Sequence, residues 1–169
     1  VALMVRETLP VRQTWTRPFP GSCMGRALLA AHVDWAGRDL LLCTAHLESL
    51  ASGRAERQHQ LGEVLRTLVA HPGPAVFAGD TNLREQERAA APEVALVRDA
   101  WEAVGRPGDR RVTWPNPRGR GPGMRLDRVY VGGCGWTVRA FRLLGEAPIA
   151  EAWGAPPSDH LAIEVDLQV

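Results

Sequence analysis

The stretch VFAGDTNLRE, residues 76–85, decides the fold because it joins a buried-looking apolar run to a cluster of polar groups. Residues 74–78 (PAVFA) are apolar without alternation, which is typical of a strand covered on both faces. Gly79 lets the backbone leave the sheet without a side chain. We therefore expect Asp80 and Asn82 to emerge at the carboxyl end of a rigid strand, where layered α/β folds bind ligands. The alternative interpretation is a simple Asx turn.

Further strands flank this stretch on both sides. The apolar runs at residues 25–34 and 40–47 surround an Ala36-Gly37-Arg38 turn, which predicts an antiparallel hairpin. Other strands are predicted at residues 1–5, 124–131, 137–144 and 161–169, the last with the alternation of a half-exposed strand. Strands therefore predominate, and the fold class is α/β or α+β with substantial antiparallel sheet.

One long helix is expected between the strands. Residues 54–70 place apolar side chains at helical spacing, Ser52 is a possible N-cap, and His71-Pro72-Gly73 is a strong stop signal. A shorter helix is predicted at residues 97–104. Residues 115–123 (PNPRGRGPG) are too rich in proline and glycine for regular structure, and we expect a mobile, basic loop there.

Size and composition restrict the class of protein. The 169 residues fit one domain, and their apolar runs are all shorter than the roughly 18 residues that a membrane-spanning helix needs. All 20 basic residues are arginines, which suits phosphate partners but also follows from genome base composition. Cys23, Cys43 and Cys134 are far apart and form no CxxC pair, which argues against a disulfide framework and a cysteine zinc site. A reducing cytoplasm fits best.

Four polar clusters lie at or near the ends of predicted strands: residues 44–49 (TAHLES), 79–82 (GDTN), 125–128 (RLDR) and 158–160 (SDH). Each cluster alone has an ordinary structural explanation, such as a buried histidine or a loop. Together they supply two histidines and three aspartates, the groups that metal-assisted phosphodiester cleavage requires. The acids hold a hard cation or orient a water, and the imidazoles donate to the phosphate oxygens.

The sequence resembles the endonuclease/exonuclease/phosphatase superfamily of DNase-I-like, metal-dependent phosphodiesterases. The superfamily's strand-end histidine, GDxN and terminal SDH stand here in order, as His46, residues 79–82 and residues 158–160. The segments TAHLES, RxxQ, GDTNLR, VTW, RLDR and PPSDH resemble more narrowly the 5′-tyrosyl-DNA phosphodiesterases, which remove trapped topoisomerase peptides from DNA ends. The resemblance covers residues 26–169. It implies a DNase-I-like layered β-sandwich flanked by helices and a function in DNA repair.

The resemblance also implies catalytic roles. Asp80 would position or deprotonate the attacking water, and Asn82 would orient that water or the phosphate. His46 and His160 would contact the scissile phosphate and stabilise its developing charge. Asp127 would hydrogen-bond the imidazole of His160 and fix its tautomer.

Cofactor and substrate contacts are implied in the same way. The cofactor would be Mg²⁺, with Mn²⁺ as an alternative, and Asp159 would have a supporting metal role. Arg84 would meet a DNA phosphate, and Trp114 would stack on a base or line the channel for a single-stranded 5′ end, unless it simply packs in the core.

One part of the superfamily pattern is missing. Nothing in residues 1–25 resembles the superfamily's amino-terminal Asn strand or its Mg²⁺-binding Glu. We therefore expect residues 1–169 to form a single partial domain that lacks the amino-terminal strands, is inactive alone, and is monomeric when full length. Two alternatives remain: a phosphatase, lipid phosphodiesterase or abasic-site endonuclease of the same superfamily, and a catalytically silent nucleic-acid-binding domain that uses the Arg-rich loop at residues 118–128.

Overall fold

A six-stranded mixed sheet forms the centre of the molecule. The structure is a computed structural model that describes residues 1–90, 92–116, 121–133, 135–147 and 156–168. The strands are β1 (Val11–Pro18), β2 (Ala27–Trp35), β3 (Arg38–Thr44), β4 (Ala75–Asp80), β5 (Arg98–Asp99) and β6 (Asp127–Gly132). Their spatial order is β1-β2-β3-β4-β6-β5. Strands β3 and β4 pair in parallel, whereas the other neighbours pair antiparallel.

The hairpin between β2 and β3 confirms the predicted turn. Trp35 pairs with Arg38, so Ala36 and Gly37 form a two-residue loop. Both loop residues have positive φ, 51° and 79°, which is the type I′ geometry that matches the twist of the flanking strands.

Helix α1 (Arg54–Ala70) covers one face of the central sheet, and its bounds are those predicted. Its apolar stripe, Leu61, Val64, Leu65 and Leu68, is fully buried against sheet residues such as Phe77. The predicted Ser52 cap is wrong, because Gly53 occupies the N-cap position. A Cβ on Gly53 would lie 2.3 Å from the carbonyl oxygen of Ser49, so the tight turn before the helix requires glycine there.

A second sheet covers the opposite face. Strands β7 (Thr137–Leu144) and β8 (Ala162–Gln168) pair antiparallel. Phe141 and its partly buried neighbours pack against Val129 and Val76, and Trp136 stacks on Trp35 at a ring-centroid distance of 5.4 Å. Exposure alternates along β8, as predicted. The layers are therefore helix, six-stranded sheet and two-stranded sheet, and β4 is covered on both faces.

Short elements complete the chain. Helix α2 (Ala100–Ala103) replaces the longer helix predicted for residues 97–104, and 3₁₀ turns lie at Glu85–Ala90, Pro92–Leu96 and Gly108–Arg110. Part of the expected loop, residues 117–120, lies outside the described residues. Cys43 is a core residue, and burial raises the pKa of its thiol to about 12. In the described part of the chain, no helix has the length and apolar character needed to cross a membrane.

The amino terminus differs from the prediction. Residues 1–5 form no strand, and Met4 is 92% exposed. The first strand is instead β1, a polar and largely exposed edge strand that pairs with β2. The apolar content of residues 1–5 leads to neither burial nor pairing, whereas β1 needs only the backbone hydrogen bonds that it makes to β2 on one side.

Candidate active site

Strand register brings three of the predicted site residues together. Asp80, the last residue of β4, pairs across the sheet with Asp127, the first residue of β6. His46 follows β3 and forms an isolated parallel bridge with Asp80. The two aspartates and His46 therefore meet at one end of the central sheet, where β3 and β4 end and β6 begins. In the sequence, 81 positions separate His46 from Asp127.

Gly79 makes this meeting possible. A Cβ at Gly79 would lie 2.2 Å from the carbonyl oxygen of Ala45, far inside van der Waals contact. The residue is still within β4, so the expectation that the backbone leaves the sheet at Gly79 is wrong. Its lack of a side chain instead lets the segment that carries His46 approach β4 closely.

Asp127 and His160 form a hydrogen-bonded pair. The ring atom Nδ1 of His160 lies 2.8 Å from Asp127 Oδ2. Because a carboxylate only accepts, Nδ1 carries the proton, and Nε2 is the atom that remains for a ligand. Both side chains are partly buried, with exposures of 27% for His160 and 19% for Asp127.

Buried Thr113 connects the two halves of this pair. Its Oγ1 accepts the backbone N–H groups of Leu126 and Asp127, both at 3.0 Å. Its carbonyl oxygen accepts the N–H of Leu161 at 2.7 Å, directly after His160 in the chain. Thr81 adds a bond from Oγ1 to the Leu126 carbonyl at 2.7 Å. The backbone on either side of the pair is thus fixed to one fully buried threonine.

The second histidine is held differently. His46 Nε2 lies 3.2 Å from Asp80 Oδ2, and the His46 side chain is 38% exposed. Asp80 Oδ1 accepts the backbone N–H of Asn82 at 2.9 Å, an Asx turn. The turn interpretation and the site interpretation therefore both describe Asp80, with one carboxylate oxygen in the turn and the other beside His46.

Asn82 anchors the segment that follows β3. Its Nδ2 donates to the Leu47 carbonyl at 3.1 Å and to Ser49 Oγ at 3.0 Å. The residue has a positive φ of 51°, a conformation that asparagine adopts more readily than most residues. With both Nδ2 protons engaged, the side chain has only its oxygen, an acceptor, for a water or a cation.

The two pairs have opposite electrostatic character. Burial lowers the pKa of His46, and the positive charges of Arg26 and His160 lower it further, against the opposing effect of Asp80. Burial also acts to lower the pKa of His160, but its hydrogen bond to Asp127 and the charge of that carboxylate outweigh burial and raise it. Burial raises the pKa of Asp127, with the nearby Asp80 charge adding to the effect.

Buried polar contacts hold the His46 segment against α1. Arg57 donates to both carboxylate oxygens of Glu87 at 2.8 Å and to the carbonyl oxygen of Leu50 at 2.6 Å. Gln60 accepts the backbone N–H of Glu48 at 2.8 Å. Burial disfavours the charged Glu48 carboxylate, yet hydrogen bonds from neighbouring donors keep its pKa below the usual range. The RxxQ residues of the sequence pattern, Arg57 and Gln60, therefore hold the backbone of the segment that follows His46.

The remaining predicted residues lie at the periphery. Arg84 is exposed, and its backbone N–H donates to Glu87 Oε2 at 3.2 Å. Trp114 is half-buried, and its indole N–H donates to Asp159 Oδ2 at 3.4 Å. Asp159 is exposed beside it.

Asp80, Asp127 and His160 also form a group that could hold a metal ion, since one ligand atom from each lies within 4.8 Å of the others. Two carboxylates suit a hard divalent cation such as Mg²⁺, which is bound by one or two protein carboxylates plus substrate oxygens. The donor set therefore fits the cation, with Asp80 better available than Asp127, which is hydrogen-bonded to His160. Asp159 is not in this group.

The sequence motifs do not identify two supporting residues, Thr113 and Thr81. In the VTW segment the resemblance implies a role for Trp114 alone, and the Asx turn at residues 80–82 gives Thr81 no buried contact. A fully buried hydroxyl is a signal of a backbone contact, but burial of a single threonine cannot be deduced from local sequence.

Comparison with known proteins agrees with this geometry. A model described as the Endonuclease/Exonuclease/phosphatase family matches residues 1–160. Human tyrosyl-DNA phosphodiesterase 2 is 36% identical over 166 residues, covering 90% of this chain and 45% of that protein. The Xenopus laevis protein of that name is 42% identical, covering 90% and 44%. The Caenorhabditis elegans 5′-tyrosyl-DNA phosphodiesterase is 35% identical, covering 96% and 47%. The chain thus spans about half the length of these relatives.

Solved structures show the same similarity. A humanized Danio rerio TDP2 superposes with a TM-score of 0.88 at 32% identity, covering 95% of this chain and 68% of that chain. Danio rerio TDP2 complexed with single strand DNA product gives 0.87 at 32%, covering 95% and 69%. The human Nocturnin catalytic domain with bound sulfate gives 0.70 at 17% identity, covering 95% and 60%, which shows a shared fold alone.

Proposed function

Because the chain belongs to the endonuclease/exonuclease/phosphatase family, we propose that the protein is a metal-dependent phosphodiesterase that hydrolyses 5′-phosphotyrosyl DNA ends in DNA repair. The observation that carries the proposal is the convergence of His46, Asp80, Asp127 and His160 at one end of the central sheet. The 35–42% identity to tyrosyl-DNA phosphodiesterases favours this substrate within the family.

The proposed chemistry assigns Asp80 to the attacking water. Its carboxylate would accept the water proton as the oxygen attacks phosphorus, and the Asn82 oxygen would help to orient that water. His160 would donate from Nε2 to a phosphate oxygen, since its raised pKa favours the imidazolium form. His46, as a neutral imidazole, would donate its single N–H to the same phosphate in place of its contact with Asp80 Oδ2.

Asp127 is proposed as a positioning residue. By accepting the Nδ1 proton of His160, it fixes the tautomer and stabilises the cation that forms. Thr113 fixes the backbone on both sides of that contact and is proposed to act through it.

The cofactor in this proposal is Mg²⁺, with Mn²⁺ as a substitute. Asp80 would hold it, and exposed Asp159 would add charge nearby. When bound, the cation supplies neutralisation of negative charge on the phosphoryl oxygens.

DNA contacts are proposed for the peripheral residues. Arg84 would pair with a phosphate, and Trp114 would stack on a base of the 5′ end, its indole N–H already held by Asp159. The protein is proposed to act as a monomer in the cytoplasm, where Cys23 and Cys43 stay reduced.

The test is a substrate panel with the full-length protein. We expect Mg²⁺-dependent release of tyrosine from a 5′-phosphotyrosyl oligonucleotide, leaving a 5′-phosphate, and much slower turnover of an abasic duplex, a phosphosugar and a sphingomyelin vesicle. Preference for one of the other substrates would replace the substrate assignment. DNA binding without cleavage of any of them would favour the silent binding domain.

A companion assay uses the 169-residue chain alone. We expect it to bind a 5′-phosphorylated oligonucleotide weakly, with affinity that falls as salt rises, and to leave the phosphotyrosyl bond intact. Robust Mg²⁺-dependent cleavage by this chain would contradict the expectation that residues 1–169 are inactive alone.

A further inference from the structure

A second cluster of metal-binding side chains lies at the other end of the central sheet. One ligand atom each from His32, Asp39 and His71 lies within 4.8 Å of the others. His32 is in β2, Asp39 is near the start of β3, and His71 directly follows α1. Strand β3 and its extension lead from Asp39 to His46 over seven residues, which at ~3.3 Å per residue is about 23 Å. The cluster is therefore separate from the candidate active site.

The sheet and helix bring these side chains together for structural reasons. His32 and Asp39 lie on the same face of the β2–β3 hairpin, because His32 pairs with Leu41 and Asp34 pairs with Asp39. His32 Nδ1 lies 3.1 Å from Asp39 Oδ2. The rings of His32 and His71 meet edge to face, with centroids 5.6 Å apart. Two imidazoles and a carboxylate are thus in place before any ion binds.

A hydrogen bond sets the tautomer of the His71 ring. The His71 Nε2 lies 3.0 Å from the backbone carbonyl oxygen of Asp39, which only accepts, so Nε2 carries the proton and Nδ1 keeps its lone pair. A histidine that ligates a metal typically donates its other ring N–H to a carbonyl or carboxylate. His71 therefore already has the supporting contact that a ligating histidine needs.

We propose that His32, Asp39 and His71 form a binding site for a divalent transition-metal ion of the Zn²⁺ class. Zinc accepts imidazole nitrogen and carboxylate oxygen at about 2.0–2.2 Å, whereas Mg²⁺ prefers oxygen ligands alone. For the ion to bind His32 Nδ1, the proton that this atom shares with Asp39 moves to Nε2 by exchange through the solvent, so that the ring stays a neutral imidazole. The contact from the Trp15 indole N–H to His32 Nε2, at 3.5 Å, is at the limit of a hydrogen bond and is given up.

The surroundings leave room for the ion and its water ligand. His32 and His71 line an open cavity of about 560 Å³, with Glu63 on the same wall. The two cavity arginines are held by other groups, Arg17 by Thr67 Oγ1 and Arg66 by Glu93, each at 2.6 Å. A bound ion would tie the hairpin to the end of α1, a stabilising link between two layers of the fold.

The test measures zinc binding to the 169-residue chain carrying Asp80→Asn, which weakens competition from the active-site cluster. Isothermal titration with ZnCl₂ should give one ion per chain, unaffected by millimolar Mg²⁺. Adding His71→Ala should weaken zinc binding at least tenfold. Adding His59→Ala, which removes an exposed α1 histidine, should leave it unchanged.

Two results would overturn the proposal. One is the absence of saturable zinc binding in the Asp80→Asn chain, and the other is equal zinc affinity with and without His71→Ala. If circular dichroism shows that His71→Ala does not fold, Asp39→Asn takes its place, with the same expected loss. X-ray absorption of the zinc-loaded chain adds a direct readout, in which two imidazole ligands support the site and a shell of oxygens alone contradicts it.

Discussion

The two histidine–aspartate pairs of the candidate active site differ in how they are held. His160 is hydrogen-bonded to Asp127 at 2.8 Å, and the backbone beside both residues is fixed by Thr113. His46 lies 3.2 Å from Asp80 and is more exposed. The pKa of His160 is raised, whereas that of His46 is lowered.

This difference indicates that the two histidines, and likewise the two aspartates, have different chemical roles. Relative to an ordinary imidazole, the raised pKa of His160 favours the cation that a phosphate attracts, and the lowered pKa of His46 favours the neutral form. Asp127 is hydrogen-bonded to His160, so Asp80 is the carboxylate that is more available to a water or a cation. Pairs of titratable groups whose environments move their pKa values apart are typical of acid–base sites.

The largest effect is expected from Asp80→Asn. The change removes the carboxylate charge but keeps the volume, so the fold should survive while turnover of a 5′-phosphotyrosyl substrate by the full-length protein falls by about 10²- to 10⁴-fold. Single-turnover kinetics and the melting temperature measure the two effects. Near wild-type turnover would show that Asp80 does not act on the water.

A smaller effect is expected from Asp127→Asn, which alters the other pair. The neutral amide still contacts His160 but no longer stabilises the imidazolium, so turnover should fall about 10²-fold. Since Asp127 raises the pKa of His160, its removal should lower that pKa, and the pKa of His46 should fall less. NMR titration of the histidine ring protons measures both shifts. An unchanged His160 titration would refute the orienting contact.

The sequence allowed much of this site to be predicted, because the motif residues stand at ends of strands whose apolar cores are evident. The bounds of α1 followed from its apolar spacing, and the hairpin from its Ala-Gly turn. The contact of Asp127 with His160 came from resemblance to a family, since 33 positions separate them and only the fold brings them together.

Other features depend on tertiary packing and were missed. The edge strand β1 has no apolar pattern, because it is exposed along most of its length. The requirement for glycine at position 79 arises from the Ala45 carbonyl, which is distant in sequence. The role of Thr113 depends on partners at positions 126, 127 and 161.

Thr113→Val tests whether the Asp127–His160 pair depends on the backbone contacts that Thr113 makes on either side of it. Valine is similar in shape but leaves the buried N–H groups of Leu126 and Asp127 without their acceptor, at a cost of about 1–3 kcal/mol in the free energy of unfolding. We expect roughly tenfold slower turnover, since small displacements at a site are costly. Thr113→Ser keeps the hydroxyl and should restore turnover.

A purely structural role for Thr113 would give another result. The valine variant would then lose stability while the His160 pKa and the turnover of the folded fraction stayed at wild-type values. Denaturant unfolding and NMR titration of the same samples separate these outcomes.

The smallest effect is expected outside both pairs, at Arg84. This side chain is exposed, so replacement by glutamine should leave the melting temperature unchanged. If Arg84 meets one DNA phosphate, Arg84→Gln should raise KM a few-fold with little change in kcat, and should reduce the slope of log affinity against log salt by about one. Arg38→Gln removes an exposed arginine at the start of β3, at the other end of the central sheet, and is the matched control for loss of charge that should leave the slope unchanged. A loss of kcat as large as that of Asp127→Asn would place Arg84 with the groups that contact the reacting phosphate, and the contrast between the two pairs would no longer describe the site.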